Sequence, residues 1–177
     1  MQFAMLPLQG LGQGAQPIIS YNFGARNPHR VKAAFRLLLR ASLVYSTLLW
    51  ACVMLFPQAF AAMFTNSPEL LAFTKTALRI YMACLLLFGI QIACQMTFTS
   101  LGNAKASILV AIMRKFILLI PLIYIMPLFF SADKATAVYM AEPVADFLAV
   151  SFTCVLFTFQ FRKALKQISA TTEETAS

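Results

Sequence analysis

Two carboxylates carry the strongest chemical signal in this sequence because of where they sit. Glu142 and Asp146 are four residues apart, so they share a helix face, inside an otherwise uncharged run from Ala135 to Phe161. At about 1.5 Å per residue from Ala135, Asp146 lies roughly 16 Å inside a hydrocarbon layer about 30 Å thick. A carboxylate there must be paired, protonated or used, and Pro143 frees a backbone carbonyl beside it. Such a group suits exchange of a proton or Na⁺; the competing reading is a structural hydrogen bond that fixes the last helix against the first. Glu142 is nearer the outer surface and meets water.

Amides form a second set. Gln2, Gln9, Gln13, Gln16 and Ser20 step by 7, 4, 3 and 4 residues and so occupy one side of a helix. An unsatisfied amide in hydrocarbon costs several kcal/mol, roughly, so this face must look at other helices or a water-filled cavity. Gln91 and Gln95 share a face with Phe88 and Thr99. An aromatic-plus-amide surface suits drug-like cations, although the same amides would also bond neighbouring helices.

The elements that must hold these groups are membrane helices. The chain is 60% hydrophobic and 11% charged, against about a quarter charged in soluble domains. Its mean hydropathy is +0.77. This predicts an all-α, polytopic integral membrane protein with helices at about 1–25, 30–64, 68–102, 105–130 and 135–163, a transmembrane lobe over 1–166 and a polar tail over 167–177. Pro57 falls near the end of the second span, Pro121 and Pro127 break the fourth, and Thr65-Asn66-Ser67-Pro68 reads as a turn and N-cap. No soluble domain is predicted.

Of the 14 Lys and Arg residues, eleven fall in regions 26–40, 103–115 and 162–177. The alternate loops hold only Lys75, Arg79 and Lys134. The positive-inside rule therefore places the amino terminus outside and the tail inside. Arg79 is expected to snorkel at the outer interface, with Glu142 as its alternative partner. The series Arg26, Arg30, Arg36 and Arg40 reads as an inside-positive anchor or as a helix start resting on anionic headgroups. Nucleic acid is not an implied partner, because the basic residues lie in short clusters between apolar runs. Cys52, Cys84, Cys94 and Cys154 read as free buried thiols, and the single histidine, His29, lacks the partners a metal site requires. Gly10-x-Gly12-x-x-Ala15 matches a dinucleotide fingerprint only formally, with no strand before it and no acid after it. Gly10 and Gly14 instead read as small residues that admit a neighbouring helix, with Pro17 kinking the span.

Gln16-Pro17-x4-Asn22-x-Gly24-Ala25 followed by basic residues resembles the eighth helix of the MATE (multidrug and toxic compound extrusion) transporters. Leu78-Arg79-Ile80-Tyr81 leading to Leu101-Gly102-Asn103-Ala104, then Arg114-x6-Pro121-Leu122, then Pro143-x-x-Asp146, resemble the tenth to twelfth helices in order and spacing. The resemblance covers essentially the whole chain. It implies most of one six-helix lobe of a two-lobe fold that exports cationic amphiphilic compounds in exchange for H⁺ or Na⁺, with no cofactor beyond the coupling ion. Candidate substrate- and ion-binding residues are Gln13, Gln16, Asn22, Gln91, Gln95, Glu142 and Asp146. The implied partners are small-molecule substrates, the lipid of an inner or plasma membrane, and the missing amino-terminal lobe; the chain reads as the back part of a longer protein. A lipid-linked saccharide flippase and a non-transporting truncated subunit are the alternatives. A membrane-embedded enzyme is disfavoured, since no His, Asp or Ser cluster marks a membrane face.

Overall fold

The computed structural model describes residues 2–62, 85–129 and 134–174, and every regular element in them is helical. The elements are α1 (Gln2–Gly24), α2 (Pro28–Leu55), a short α3 (Pro57–Ala62) and α4 (Leu85–Ser100). A longer helix, α5, runs through Ala104–Ile112, a π-helical segment Met113–Leu119 and Ile120–Phe129; α6 covers Lys134–Glu174. The described fold is all-α. Pro28–Leu55, Lys105–Ile125 and Pro143–Ser169 are long and apolar enough to cross a membrane. With 23 residues α1 has the length as well, but its amide stripe makes it less apolar.

The lobe is built around α4. Ten of its sixteen residues are buried, which marks a helix enclosed over most of its surface, with Leu86 and Thr99 exposed. Towards the amino-terminal end of α4, Leu85, Phe88 and Ile92 pack with Leu8 and Val53. Ala93 joins Ile19, Val31, Leu38, Leu165 and Ile168. On a third side, Cys94 and Phe98 meet Ala106, Val110 and Phe157. So α4 touches α1, α2, α5 and α6, and its sequence is apolar around most of its circumference, as suits a helix with neighbours on several sides.

Short turns connect α1 to α2 and α4 to α5. Residues 26–40 are not a basic loop: helix α2 starts at Pro28, where Asn27 accepts the Arg30 N–H and proline occupies the first turn. Only Arg26, at φ 53°, sits in the turn itself. Residues 103–115 are not a loop either. Gly102, at φ 70°, makes the reversal, and Asn103 caps α5 by accepting the Ala106 N–H. Arg114 and Lys115 therefore leave the count of surface charges and lie inside a helix.

The prolines of α5 do not break it. Pro121 has no N–H and would crowd the carbonyl four residues back, and the preceding turns widen to the π form, with Ile120 N–H reaching Lys115 O. At Pro57 the chain does break, with Phe56 ending α2 before α3 begins. Residues 65–68, Arg79 and Cys84 lie outside the described residues.

Close helix approach occurs at different glycines from those expected. A Cβ at Gly10 or Gly14 would meet nothing within 4 Å. At Gly89 it would lie 2.5 Å from Ser46 Oγ and 2.8 Å from the Ser42 carbonyl oxygen. Here α2 and α4 touch backbone to backbone, and a carbonyl cannot swing aside. Gly89→Leu is expected to destabilise the chain by about 3 kcal/mol or more, whereas Gly10→Ala and Gly14→Ala are expected to be neutral or stabilising by up to about 1 kcal/mol. Thermal unfolding of the purified chain by circular dichroism checks both.

Candidate functional site

Most hydroxyls in these helices are satisfied locally. Thr97 and Thr153 donate to the carbonyls four residues back at 2.7 and 2.8 Å, as do Thr47, Thr99, Ser100, Ser151, Thr158 and Ser169. They are therefore poor candidates for chemistry. The groups that cannot be satisfied within their own helix remain available for contacts between helices.

Asp146 is foremost. It is 3% exposed on α6 and accepts a hydrogen bond of 2.7 Å at Oδ1 from Arg114 Nε on α5. The Arg114 guanidinium carbon lies 4.6 Å from the centre of the Phe88 ring on α4, within cation–π range. Three helices thus converge on one ion pair. At about 1.5 Å per residue, Arg114 lies roughly 16 Å beyond the Asn103 cap, and Asp146 roughly 18 Å from the opposite end at Lys134. The two counts meet at mid-membrane. Arg114 is not paired with Asp146 in the sequence reading, where it counts with the basic region 103–115; Arg79, expected to snorkel at the outer interface, lies outside the described residues. The available signal was the Gly102-Asn103 turn, which starts α5 early enough to carry Arg114 inward.

The other expected residues divide. Gln91 is 3% exposed, and its Oε1 has no hydrogen-bond partner among the described residues. It lies one turn along α4 from Phe88, so an unused acceptor sits close in sequence to the ring that faces Arg114. Gln95 follows a further turn on and is half-buried. Gln13 is exposed and Gln16 half-buried on the outward side of α1; the same stripe ends at Ser20, whose hydroxyl donates to Ser100 O at 2.9 Å. Asn22 leaves the candidate site. It is buried, its Nδ2 donates to Ile18 O at 2.7 Å, and its carbonyl receives Asn27 N–H, so it builds the turn into α2. Glu142 lies on α6, but its side chain and that of Gln2 are outside the described residues.

Further buried polar atoms line α2. Ser42 Oγ, Ser46 Oγ and Trp50 Nε1 recur every fourth residue, without partners among the described residues. Ser46 lies against Gly89, so the stripe belongs to the α2–α4 seam. Of the thiols, Cys94 is buried and Cys154 partly so, whereas Cys52 is exposed rather than buried as expected. No group of three His, Cys, Asp or Glu side chains able to hold a metal occurs among the described residues.

A helical membrane lobe with an internal ion pair at mid-depth defines a class of polytopic membrane protein, and comparison specifies it. The MatE family model matches residues 1–125, and the chain belongs to the MatE family. It is similar to the multidrug export protein MepA of Staphylococcus haemolyticus (strain JCSC1435), 25% identical over 150 residues, covering 85% of this chain and 33% of that protein. It is also similar to the FAD transporter of Shewanella oneidensis, 24% identical over 171 residues, covering 97% of this chain and 36% of that one. Among solved structures, it superposes on the MATE multidrug transporter DinF-BH with a TM-score of 0.84 and 33% identity, covering 93% of this chain and 36% of that one. An inward-facing MATE family transporter of the MOP superfamily shares the fold, with a TM-score of 0.83 and 18% identity over 94% of this chain and 38% of that one. The chain spans about a third of the length of the curated relatives it matches.

The ion pair has a measurable signature. Removing one member of a buried pair strands the other charge, at a cost of about 3–5 kcal/mol, while replacing both with apolar groups is often close to neutral. Arg114→Leu and Asp146→Leu are each expected to destabilise the chain by about 3 kcal/mol, and the double variant by less than either. Unfolding in mixed detergent micelles completes this double-mutant cycle.

Proposed function

We propose that this chain forms the carboxyl-terminal lobe of a secondary active antiporter that exports cationic or amphiphilic compounds in exchange for H⁺ or Na⁺. Its place is an inner or plasma membrane, and the amino-terminal lobe is its structural partner. The observation that carries the reading is the Arg114–Asp146 pair at mid-membrane, together with membership of the MatE family.

The mechanism follows from what an entering cation does to that pair. A proton that binds Asp146 Oδ1, or a Na⁺ that contacts it, competes with the Arg114 guanidinium for the same oxygen. The freed guanidinium keeps its contact with Phe88 on α4, and α5 loses its mid-membrane ion pair with α6 while the hydrogen bond from Asn103 Nδ2 at its cap to Gln160 Oε1 remains. The segment Met113–Leu119 is already π-helical beside Pro121. Rewinding it to α geometry would rotate and shift the side chains of α5, and π segments are frequent at such functional positions. Ion entry thereby changes the position of α5 relative to α6, as alternating access requires. Gln91, Gln95 and Phe88 offer amide and aromatic contacts to a cargo, and Gln13 and Gln16 line the face of α1 that would meet the other lobe.

A second reading concerns the charge of the cargo. Arg114 is a cation inside the membrane, and one relative carries the name FAD transporter. A guanidinium released from Asp146 would favour an anionic aromatic cargo.

The test expresses the chain in an efflux-deficient bacterium, confirms insertion, and follows loss of ethidium and of FAD with and without an imposed ΔpH or Na⁺ gradient. The expected result is gradient-driven ethidium loss that falls to the no-protein level in Asp146→Asn with insertion unchanged. Efflux that keeps its gradient dependence in Asp146→Asn overturns the coupling role. Loss of FAD in place of ethidium selects the second reading, and an inserted chain that moves neither compound does not transport alone.

A further inference from the structure

At the membrane face that the positive-inside rule assigns to the cytoplasm, the first turns of α2 and the last turns of α6 enclose a cavity of about 810 Å³. Lys32 and Arg36 line it from α2, and Arg162 and Lys166 from α6, above a floor that includes Phe35 and Phe161. All four cations are exposed, and no ion pair involves them among the described residues. Concentrating four like charges around one hollow costs free energy that an anionic occupant would partly recover.

The hollow does not end at the interface. A second cavity of about 310 Å³ shares Phe35, Phe161 and Arg162 with the first and continues between Leu39 on α2 and Cys154, Phe157 and Thr158 on α6. From Arg162 to Cys154 it reaches roughly 12 Å towards the bilayer centre, at about 1.5 Å per residue. Its wall is an aromatic stack: Phe35 lies 4.6 Å from Phe157 and 5.2 Å from Phe161, and the last two stack at 4.9 Å. A cationic mouth opening into an apolar slot that runs along the acyl region matches a phospholipid, phosphate in the mouth and one chain in the slot. A free phosphate compound would use the mouth and leave the slot empty.

We propose that this groove between α2 and α6 is a binding site for an anionic phospholipid of the cytoplasmic leaflet. The site lies apart from the Arg114–Asp146 pair and does not rest on the transport reading.

The test uses the full chain in detergent and native mass spectrometry with three probes: palmitoyl-oleoyl phosphatidylglycerol, phosphatidylcholine with the same chains, and sn-glycerol 3-phosphate. The expected result is one phosphatidylglycerol retained per chain under conditions that strip phosphatidylcholine. Near an anionic headgroup each cation contributes roughly a fivefold factor, so Lys32→Gln with Lys166→Gln is expected to weaken retention roughly 25-fold, and the corresponding double arginine variant to restore it. Thr158→Trp, an exposed position on the slot, is expected to weaken phosphatidylglycerol binding and leave glycerol phosphate unaffected. Circular dichroism confirms that each variant keeps the parent's helicity. Equal retention of the two lipids overturns the proposal, as does undiminished binding by the glutamine variant. Competition by glycerol phosphate at equal concentration, with Thr158→Trp silent, would make this a soluble-phosphate site and also overturns it.

Discussion

Hydrocarbon offers a charge no water, and the lobe is arranged around the one ion pair among its described residues, a buried carboxylate with a half-buried guanidinium, that must obey this constraint. Asp146 on α6 cannot remain an isolated anion at mid-membrane, so α5 brings Arg114 to it at 2.7 Å. Arg114 in turn rests on Phe88 of α4. That chain of contacts sets the position of α5 between two neighbours, although α5 has few buried side chains of its own and none in its π segment. Near its start α5 is also held by Asn103 Nδ2 donating to Gln160 Oε1 and by the packing of Ala106 and Val110, so exchange of the central contact bears on its second half.

The same constraint explains how the remaining polar residues survive. Serine and threonine hydroxyls return to carbonyls four residues back and leave the helices chemically closed. Asn22, Asn27 and Asn103 are spent on the two ends of short turns. What remains is a small set: Gln91, the serine and tryptophan stripe of α2, and the amides on the outward side of α1. The α2–α4 seam closes at Gly89, where absence of a side chain lets Ser42 and Ser46 approach the α4 backbone. The α2–α4 seam is thus closed backbone to backbone, whereas α5 has few buried side chains.

Between α2 and α6 the helices diverge, and the basic ends that orient the chain come to face each other across a groove. Residues far apart in sequence, Lys32 with Arg36 and Arg162 with Lys166, become one electrostatic feature only through this arrangement. Their role in orienting the chain and their role as a headgroup site are compatible, since both draw on the anionic charge of the inner leaflet.

The sequence by itself determined the solvent and hence the class of structure. Long uncharged runs dictate helices in lipid, because only internal hydrogen bonding satisfies a backbone there. It also exposed Asp146, since one carboxylate in an apolar run is conspicuous without any fold, and it carried the motifs of the family. Tertiary structure decided which groups meet. Arg114 looks like a loop residue while the ends of α5 are uncertain, and a shift of ten positions in a helix start moves a side chain by half a bilayer, at about 1.5 Å per residue. Gly89 against Ser42 and Ser46, and Gly12 against Met96, rather than Gly10 or Gly14, are the close contacts, because small size permits an approach that only the path of a second helix makes. Asn22 turns inward to its own backbone for a similar reason: an amide's partner is whichever acceptor lies within 3 Å or so, and one sequence offers many acceptors at once. Pairing is a property of distance, and distance between helices is fixed by packing alone.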